Sequence, residues 1–422
     1  MLALYFWALT FNCCFVYAIT IWSPEKIVTL AMCWCVLFHK KKVRSANKSK
    51  LSIIVSLVLV LILLGNIVAV LTPPQYMKEL EPMTRLILQD FSYVTNTIVL
   101  LYGVFLEKGF IIKLFPQYCR AIECGIIAGL VHLICNLRGI PFMPILRTEG
   151  VSDGAEVLGE FGGSLFNRIY AFAGEPKGLA FLIIPYLIIS ITCLFNGIYI
   201  KRKQYHLFFL TLGFIVLFFT LSSSGIITMV VMLPIIIVYG ILKKEGKNKG
   251  KMIVAIIFCI IILTASLGTE FFTSINERSF QRGMTELEDD RQEVVAYDTF
   301  KKSDILVHLY GWGIAQYSFQ LPESSTTTLS GGFRPMESGL LVTLCDFGLL
   351  GVLVLCVIVL NILKLIRKSG KIKKSISYGF SMVSLSRFVQ SLMYGSLFTP
   401  FVFLMIAYNA YDDERDVIEN NE

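Results

Sequence analysis

Charge is scarce in this chain. Asp, Glu, Lys and Arg make up 16% of its 422 residues, where a soluble domain runs nearer a quarter. Hydrophobic residues reach 55% and mean hydropathy is +0.69, which together exclude an ordinary water-soluble fold. Histidine occurs four times, never as the His-Glu-x-x-His helix that a zinc protease requires. No Walker or Gly-x-Gly-x-x-Gly phosphate loop is present, so nothing points to ATP-driven export by this chain. The eleven cysteines all fall in apolar runs or in one basic connection, so the outer loops are expected to use no disulfides. Cys33-Trp34-Cys35 lacks zinc spacing and a neighbouring His, and packing is its expected role.

What the chain does have is long apolar runs, several of about 17–20 residues, enough to cross roughly 30 Å of hydrocarbon as helix. Lipid offers the backbone no partners, so only helices or closed barrels can span it. The runs lack a two-residue alternation, which favours helices. Twelve spans are predicted, at about 4–21, 27–38, 51–72, 91–106, 121–137, 179–200, 207–221, 226–242, 252–268, 338–363, 376–393 and 399–410. The first contains Val16-Tyr17-Ala18, weakly similar to a leader cleavage site. It has no positive leading region, and its loss would upset the alternation below, so it is read as a retained helix.

The basic residues set the topology. Five connections, beginning near Lys40, Lys108, Lys201, Lys243 and Lys364, carry 23 of the 38 Lys and Arg. With twelve spans all five fall on one side, which the positive-inside bias makes cytoplasmic. The net charge of +8 is therefore a topology signal with some attraction to anionic lipid, and no nucleic-acid partner is expected. The expected fold is all-α, a polytopic integral membrane protein with about twelve transmembrane helices and two larger outer-face loops. Helices one to nine occupy 1–268 with the outer loop 138–178. A large outer loop covers 269–337, helices ten to twelve occupy 338–410, and an acidic cytoplasmic tail runs over 411–422.

Three outer segments carry the polar chemistry. Met77, Leu80, Met83, Leu86 and Ile87 recur at three-to-four spacing between Pro73 and Asp90, which reads either as a short helix on the bilayer surface or as a loop with stray apolar residues. In the second segment, Arg168 and Glu175 are seven residues apart, Gly174 permits an unusual turn, and Pro176 can open the next helix. Glu175 is a capping residue or a functional carboxylate. Arg168 can fork onto a phosphate at the membrane surface.

The third segment, 269–337, holds six Lys/Arg and eleven acids. Arg278, Arg282 and the acids Glu286 to Asp290 read as a solvated helix with weak ion pairs. Arg291 opens an amphipathic stretch that ends in His308-Leu309-Tyr310-Gly311-Trp312-Gly313. The Gly-Trp-Gly turn is either a plain tight turn or a place where backbone approaches a ligand and Trp312 stacks on a sugar. Glu337 stands at the start of the next helix, where the dipole favours its ionised form, suiting a base or a cap. Inside the spans, Arg387 is a functional candidate by virtue of its place, with snorkelling as the alternative and Asp346 as a candidate ion partner. Glu123 reads as solvated near the cytoplasmic end of its span.

The order of these features resembles a family. An outer Arg and a Gly-Glu-Pro turn precede a span. Leu221-Ser222-Ser223-Ser224-Gly225 links two spans, and a long outer loop carries Arg and then Gly-Trp-Gly. Glu337-Ser338-Gly339 opens a span bearing Asp346-Phe347-Gly348-Leu349-Leu350-Gly351. Over roughly residues 160–360 the chain is similar to the O-antigen polymerase (Wzy-type) and O-antigen ligase superfamily of integral-membrane glycosyltransferases. That resemblance implies transfer of a glycan from a polyprenyl diphosphate to an acceptor sugar hydroxyl at the outer face of the cytoplasmic membrane, without nucleotide, metal or other cofactor. The partners it implies are lipid-linked oligosaccharide donor and acceptor, membrane lipids and a chain-length regulator. The family's ligases commonly carry His where this chain has Glu337, which favours a polymerase.

On that reading Arg168 and Arg291 bind the diphosphate, Arg387 and the Gly311-Trp312-Gly313 turn contribute to substrate binding, and the base is Glu337, then Glu175, then His308. Arginines near a lipid headgroup stabilise the charge that gathers on the leaving diphosphate, and a general base takes the acceptor's proton. A flippase or secondary transporter is the rival from another class. It predicts internal repeats and ionisable groups near the bilayer midplane; no repeat is evident, and charges gather in the outer loops instead.

Overall fold

The computed structural model describes residues 2–11, 24–38, 48–76, 81–90, 110–140, 142, 168–173, 176–199, 202–243, 292–322, 336, 338–372, 374–393 and 398–419. Among them there is helix and no strand, as the missing two-residue alternation led us to expect. In chain order the helices are α1 (Leu2–Thr10), α2 (Pro24–Phe38), α3 (Lys48–Leu71), α4 (82–90), α5 (Phe110–Leu137), α6 (Pro176–Asn196), α7 (Lys203–Phe219) and α8 (Ser223–Lys243). There follow α9 (Gln292–Lys302), α10 (Ile305–Tyr310), α11 (Gly339–Ser369), α12 (Ile376–Met393) and α13 (Phe398–Glu419).

Four stretches are long and apolar enough to cross a membrane: Ile53–Leu71, Leu114–Leu137, Pro176–Asn196 and Gly339–Ser369. Among the described residues these four match four of the twelve expected spans. The expected spans 91–106 and 252–268 lie outside the described residues. Two other boundaries move. Helix α5 begins at Phe110, eleven residues ahead of the expected span 121–137 and within a segment read as a connection, and carries Pro116 within it. Helix α13 continues through Asp412, Asp413 and Glu414 to Glu419, so most of the expected tail is helix.

Helix α6 is apolar on all sides, the pattern of a helix enclosed by others. Ile183, Ile184 and Tyr186 to Ile189 are fully buried. Helix α12 packs on α6, α8, α11 and α13 and is rich in buried serine. Ser381 donates to the carbonyl of Ser377 at 2.7 Å, and Ser384 to that of Pro400 at 2.6 Å. Such pairing lets small hydroxyl residues line a close helix contact without orphaned polar groups. The first turn of α12 is finished from a distance. Glu414 Oε1 accepts from the backbone N–H of Ile376 (2.5 Å) and Ser377 (3.2 Å), while Oε2 accepts from the hydroxyls of Ser375 (2.9 Å) and Ser377 (2.6 Å). A carboxylate there satisfies orphan N–H groups and faces the positive end of the helix dipole.

The bonds between helices give the bundle two ends. Asn196, at the finish of α6, donates to the Ser375 carbonyl just before α12 at 3.1 Å. Lys203, Lys364, Lys368 and Lys371 lie toward this lysine end by the course of α7 and α11. The start of α6, the finish of α7, the start of α8, the start of α11 and the finish of α12 make up the opposite end.

Candidate functional site

Arg387 lies on α12 toward this opposite end and is 2% exposed. Its Nη2 donates to the carbonyl of Phe181 on α6, and its Nη1 donates to Gln390 Oε1 at 2.6 Å. The guanidinium carbon sits 3.4 Å from the Phe181 ring centroid and 5.5 Å from that of Phe403. Two aromatic faces and a carbonyl offset part of the desolvation of a buried cation. The side chain is enclosed by helices, so it does not snorkel. Arg387 Nε and Gln390 Nε2 are buried without hydrogen-bond partners. The expected pairing of Arg387 with Asp346 is corrected: Asp346 Oδ1 accepts from the Ala315 N–H at 2.9 Å.

Arg168 is half-buried at the same end. Its Nε donates to the carbonyl of Thr220 (3.1 Å) and its Nη2 to that of Leu221 (3.3 Å), just past α7. A cation at a helix C-terminus satisfies orphan carbonyls and suits the dipole. The same two residues lead into Ser222 and the first turn of α8, where Ser222 Oγ lies 3.4 Å from Ser224 Oγ. Arg168 is therefore brought to the serine turn that the sequence singled out separately.

His132, near the finish of α5, was not anticipated. It is 2% exposed, and its Nδ1 accepts from the N–H of Tyr170 (3.4 Å) and Ala171 (3.2 Å). Its ring stacks on Phe142 with centroids 4.3 Å apart. It anchors the stretch between Arg168 and the start of α6. The one available signal was a histidine inside an apolar run.

Glu175, Arg291 and Glu337 lie outside the described residues, but their neighbours place the ends of elements. Pro176 is the first residue of α6 and Gln292 the first of α9. Ser338 caps α11, its Oγ accepting from the Leu341 N–H at 3.4 Å and donating to the Leu392 carbonyl at 3.5 Å. Arg387 to Phe181 and Ser338 to Leu392 thus tie the starts of α6 and α11 to the finish of α12.

The other expected site residues form a packed junction. Trp312 is 2% exposed and meets Phe300 edge-on at 5.6 Å, inside a cluster with Val68, Val307, Tyr317 and Cys345. A sugar-stacking role is not available to a ring packed this way. His308 Nε2 donates to the Phe300 carbonyl at 2.8 Å, which leaves only Nδ1 to act as a base. The glycines approach backbone rather than ligand. Helix α11 breaks at Gly348 (φ 63°, ψ −158°). The carbonyls of Cys345 and Asp346, just before the break, accept from the N–H of Trp312 (2.8 Å) and Gly313 (3.2 Å). At Gly311 (φ 77°) an added Cβ would stand 2.3 Å from the Asp346 carbonyl carbon, and at Gly313 it would stand 2.6 Å from Ala69 Cβ on α3.

Arg85, on α4, reaches the same junction and was not among the expected residues. It lies over the Phe319 ring at 5.8 Å. Burial lowers its pKa, opposed by the nearby charges of Tyr317 and Asp346. Burial, then Asp346, pushes the Tyr317 hydroxyl well above its ordinary value.

Glu123 is a second correction. It is 5% exposed, not solvated. Tyr186 donates to its Oε1 at 3.1 Å and Tyr205 to its Oε2 at 2.6 Å, joining α5, α6 and α7. Among the described residues no three His, Cys, Asp or Glu side chains gather as metal ligands would.

No family model and no curated protein matches this chain.

Proposed function

We propose that the protein is a polysaccharide polymerase of the cytoplasmic membrane, transferring a glycan from one polyprenyl diphosphate to the sugar of another lipid-linked repeat unit. The lysine end faces the cytoplasm and the opposite end faces outward. The observation that carries the reading is Arg387. It is a buried guanidinium held on α6 at Phe181, five residues past Pro176, with Ser338 bonded to the same end of α12. A diphosphate head drawn to this end would meet Arg168 at the serine turn first, and would reach Arg387 only where α6 and α12 part. In a low-dielectric setting, such charge-assisted bonds act on the charge developing on the leaving group. Arg291, outside the described residues, is the third guanidinium expected to bind the diphosphate. Glu337, beside the cap of α11, is the first base for the acceptor hydroxyl, and Glu175, beside the start of α6, the second. Transfer to lipid A–core by a ligase is the near alternative, made weaker by Glu337 standing where the ligases carry His.

The test is incubation of purified protein with one defined lipid-linked repeat unit. A ladder of longer products without nucleotide or divalent metal supports the polymerase; a folded protein that yields no ladder removes it. One observation favours a different class. Glu123, Asp346 and Arg387 are buried ionisable groups on helices, as in a lipid-linked oligosaccharide transporter, although Glu123 lies toward the lysine end and Arg387 toward the opposite end rather than at the midplane. Loss of a transporter strands repeat units on the cytoplasmic leaflet, whereas loss of a polymerase leaves single units exported and unextended.

A further inference from the structure

The lysine end carries a cleft to which glycan transfer gives no role. On α11, Asn361, Lys364 and Lys368 recur at helical spacing, with Lys371 just past the helix. On α13, Tyr408, Tyr411, Arg415 and Ile418 do the same. The Tyr408 hydroxyl donates to Asn361 Oδ1 at 3.1 Å and ties the two rows together. Beyond that bond the helices open a cleft of about 640 Å³ lined by Lys368, Lys371, Ile372, Tyr411 and Ile418. Both lysines are exposed.

Leu349, Leu353 and Leu360, each about half exposed, continue the Lys364–Lys371 side of α11 away from the lysines. An exposed leucine row on a helix apolar enough to cross a membrane faces acyl chains. The row leads to two ammonium groups with apolar walls beside them, an arrangement with one polar and one apolar half. A soluble anion would use the lysines and leave the leucines unexplained. Of the acids on α13, Asp416 lies off the Tyr411–Arg415–Ile418 row by helical spacing, while Asp412, one turn from Tyr408 and Arg415, borders it.

We propose that this cleft binds the headgroup of an anionic phospholipid, its phosphate held by Lys368 and Lys371 and its acyl chains lying along the leucine row of α11. The site is independent of the transfer reaction and serves as an anchor for α11 and α13 at the cytoplasmic leaflet. Lysine near an anionic lipid surface contributes about a fivefold preference for each charge.

The experiment is native mass spectrometry of the full chain released from nanodiscs of phosphatidylcholine, alone or mixed with phosphatidylglycerol. Preferential retention of phosphatidylglycerol is expected, weakened about fivefold by Lys368→Gln or Lys371→Gln and about 25-fold by both. Equal retention of the two lipids by the parent protein overturns the proposal, and that comparison needs no variant to fold. Undiminished retention by a folded double variant overturns it as well. Inorganic phosphate is the third arm: displacement of the lipid at millimolar phosphate would make the cleft a free-anion site and overturn the lipid assignment, whereas indifference to phosphate supports it.

Discussion

Asn66 Nδ2 on α3 donates to Asp90 Oδ2 on α4 at 2.6 Å, while Asn66 Oδ1 and Asp90 Oδ1 are both buried without a hydrogen-bond partner. Two acceptors and one shared donor leave this pair short of a proton. Burial raises the Asp90 pKa, and the Asn66 bond only partly opposes it. The folded protein therefore holds the Asp90 proton more tightly than the unfolded chain does. Stability from this group is present at low pH and is lost as pH rises from the ordinary carboxylate range through the raised folded value. Hydrogen exchange over 82–90 should slow as pH falls through the raised Asp90 value toward the ordinary carboxylate range at about 4, after correction for the intrinsic rate. Asp90→Asn should abolish that dependence; a variant that keeps it would remove Asp90 as the cause.

Gly311→Ala should destabilise the protein by several kcal/mol, more than the roughly 1–3 kcal/mol of a strained backbone alone. The new Cβ meets the Asp346 backbone, which cannot rotate away. Thermal unfolding in detergent measures it. A melting temperature equal to the parent's would mean that the turn does not seat on α11 as described.

Tyr205→Phe leaves Glu123 with one phenol donor in place of two, and Tyr186→Phe does the same from the other helix. Each change should cost about 1–3 kcal/mol. The double variant should be worse than the sum, because it buries a carboxylate with neither hydroxyl. Additive losses in a double-mutant cycle would show that the two hydroxyls do not act on one carboxylate.

Arg387→Met is expected to lower stability, since it leaves the Phe181 carbonyl and Gln390 Oε1 without their donor, and Pro185 has no N–H to offer Phe181 in its place. Under the proposed function it should abolish chain elongation. Arg387→Lys should also lose most of it, because an ammonium cannot bond Phe181 and Gln390 and still fork onto a phosphate. Retained elongation in a folded Met variant would exclude Arg387 from the reaction.

The sequence made the helical class and the main apolar segments readable, because length and hydropathy are local properties. Pairings made at a distance were not readable. Glu123 looked solvated because nothing beside it in the chain hints at Tyr186 and Tyr205, which arrive from other helices. Gly348 looked like one more residue of an apolar helix. Its break is matched to the N–H groups of Trp312 and Gly313, which come from another segment. The Gly-Trp-Gly turn reads in the sequence as a plain tight turn or as a place where backbone approaches a ligand, and composition cannot say that a neighbouring helix does the approaching. Arg85 passed unnoticed because a lone cation in an amphipathic stretch ordinarily points to water, whereas here it turns inward over Phe319.

The Glu414 carboxylate that completes α12 is synthesised nearly forty residues after the serines it holds. While the ribosome is still making α13, the leading turn of α12 has unsatisfied amides and hydroxyls close to the bilayer. Helix α13 is thus a late-arriving clasp on α12. A nascent chain stopped short of Glu414 should remain open to quality-control proteases, and synthesis of α13 becomes the step at which the leading turn of α12 is completed.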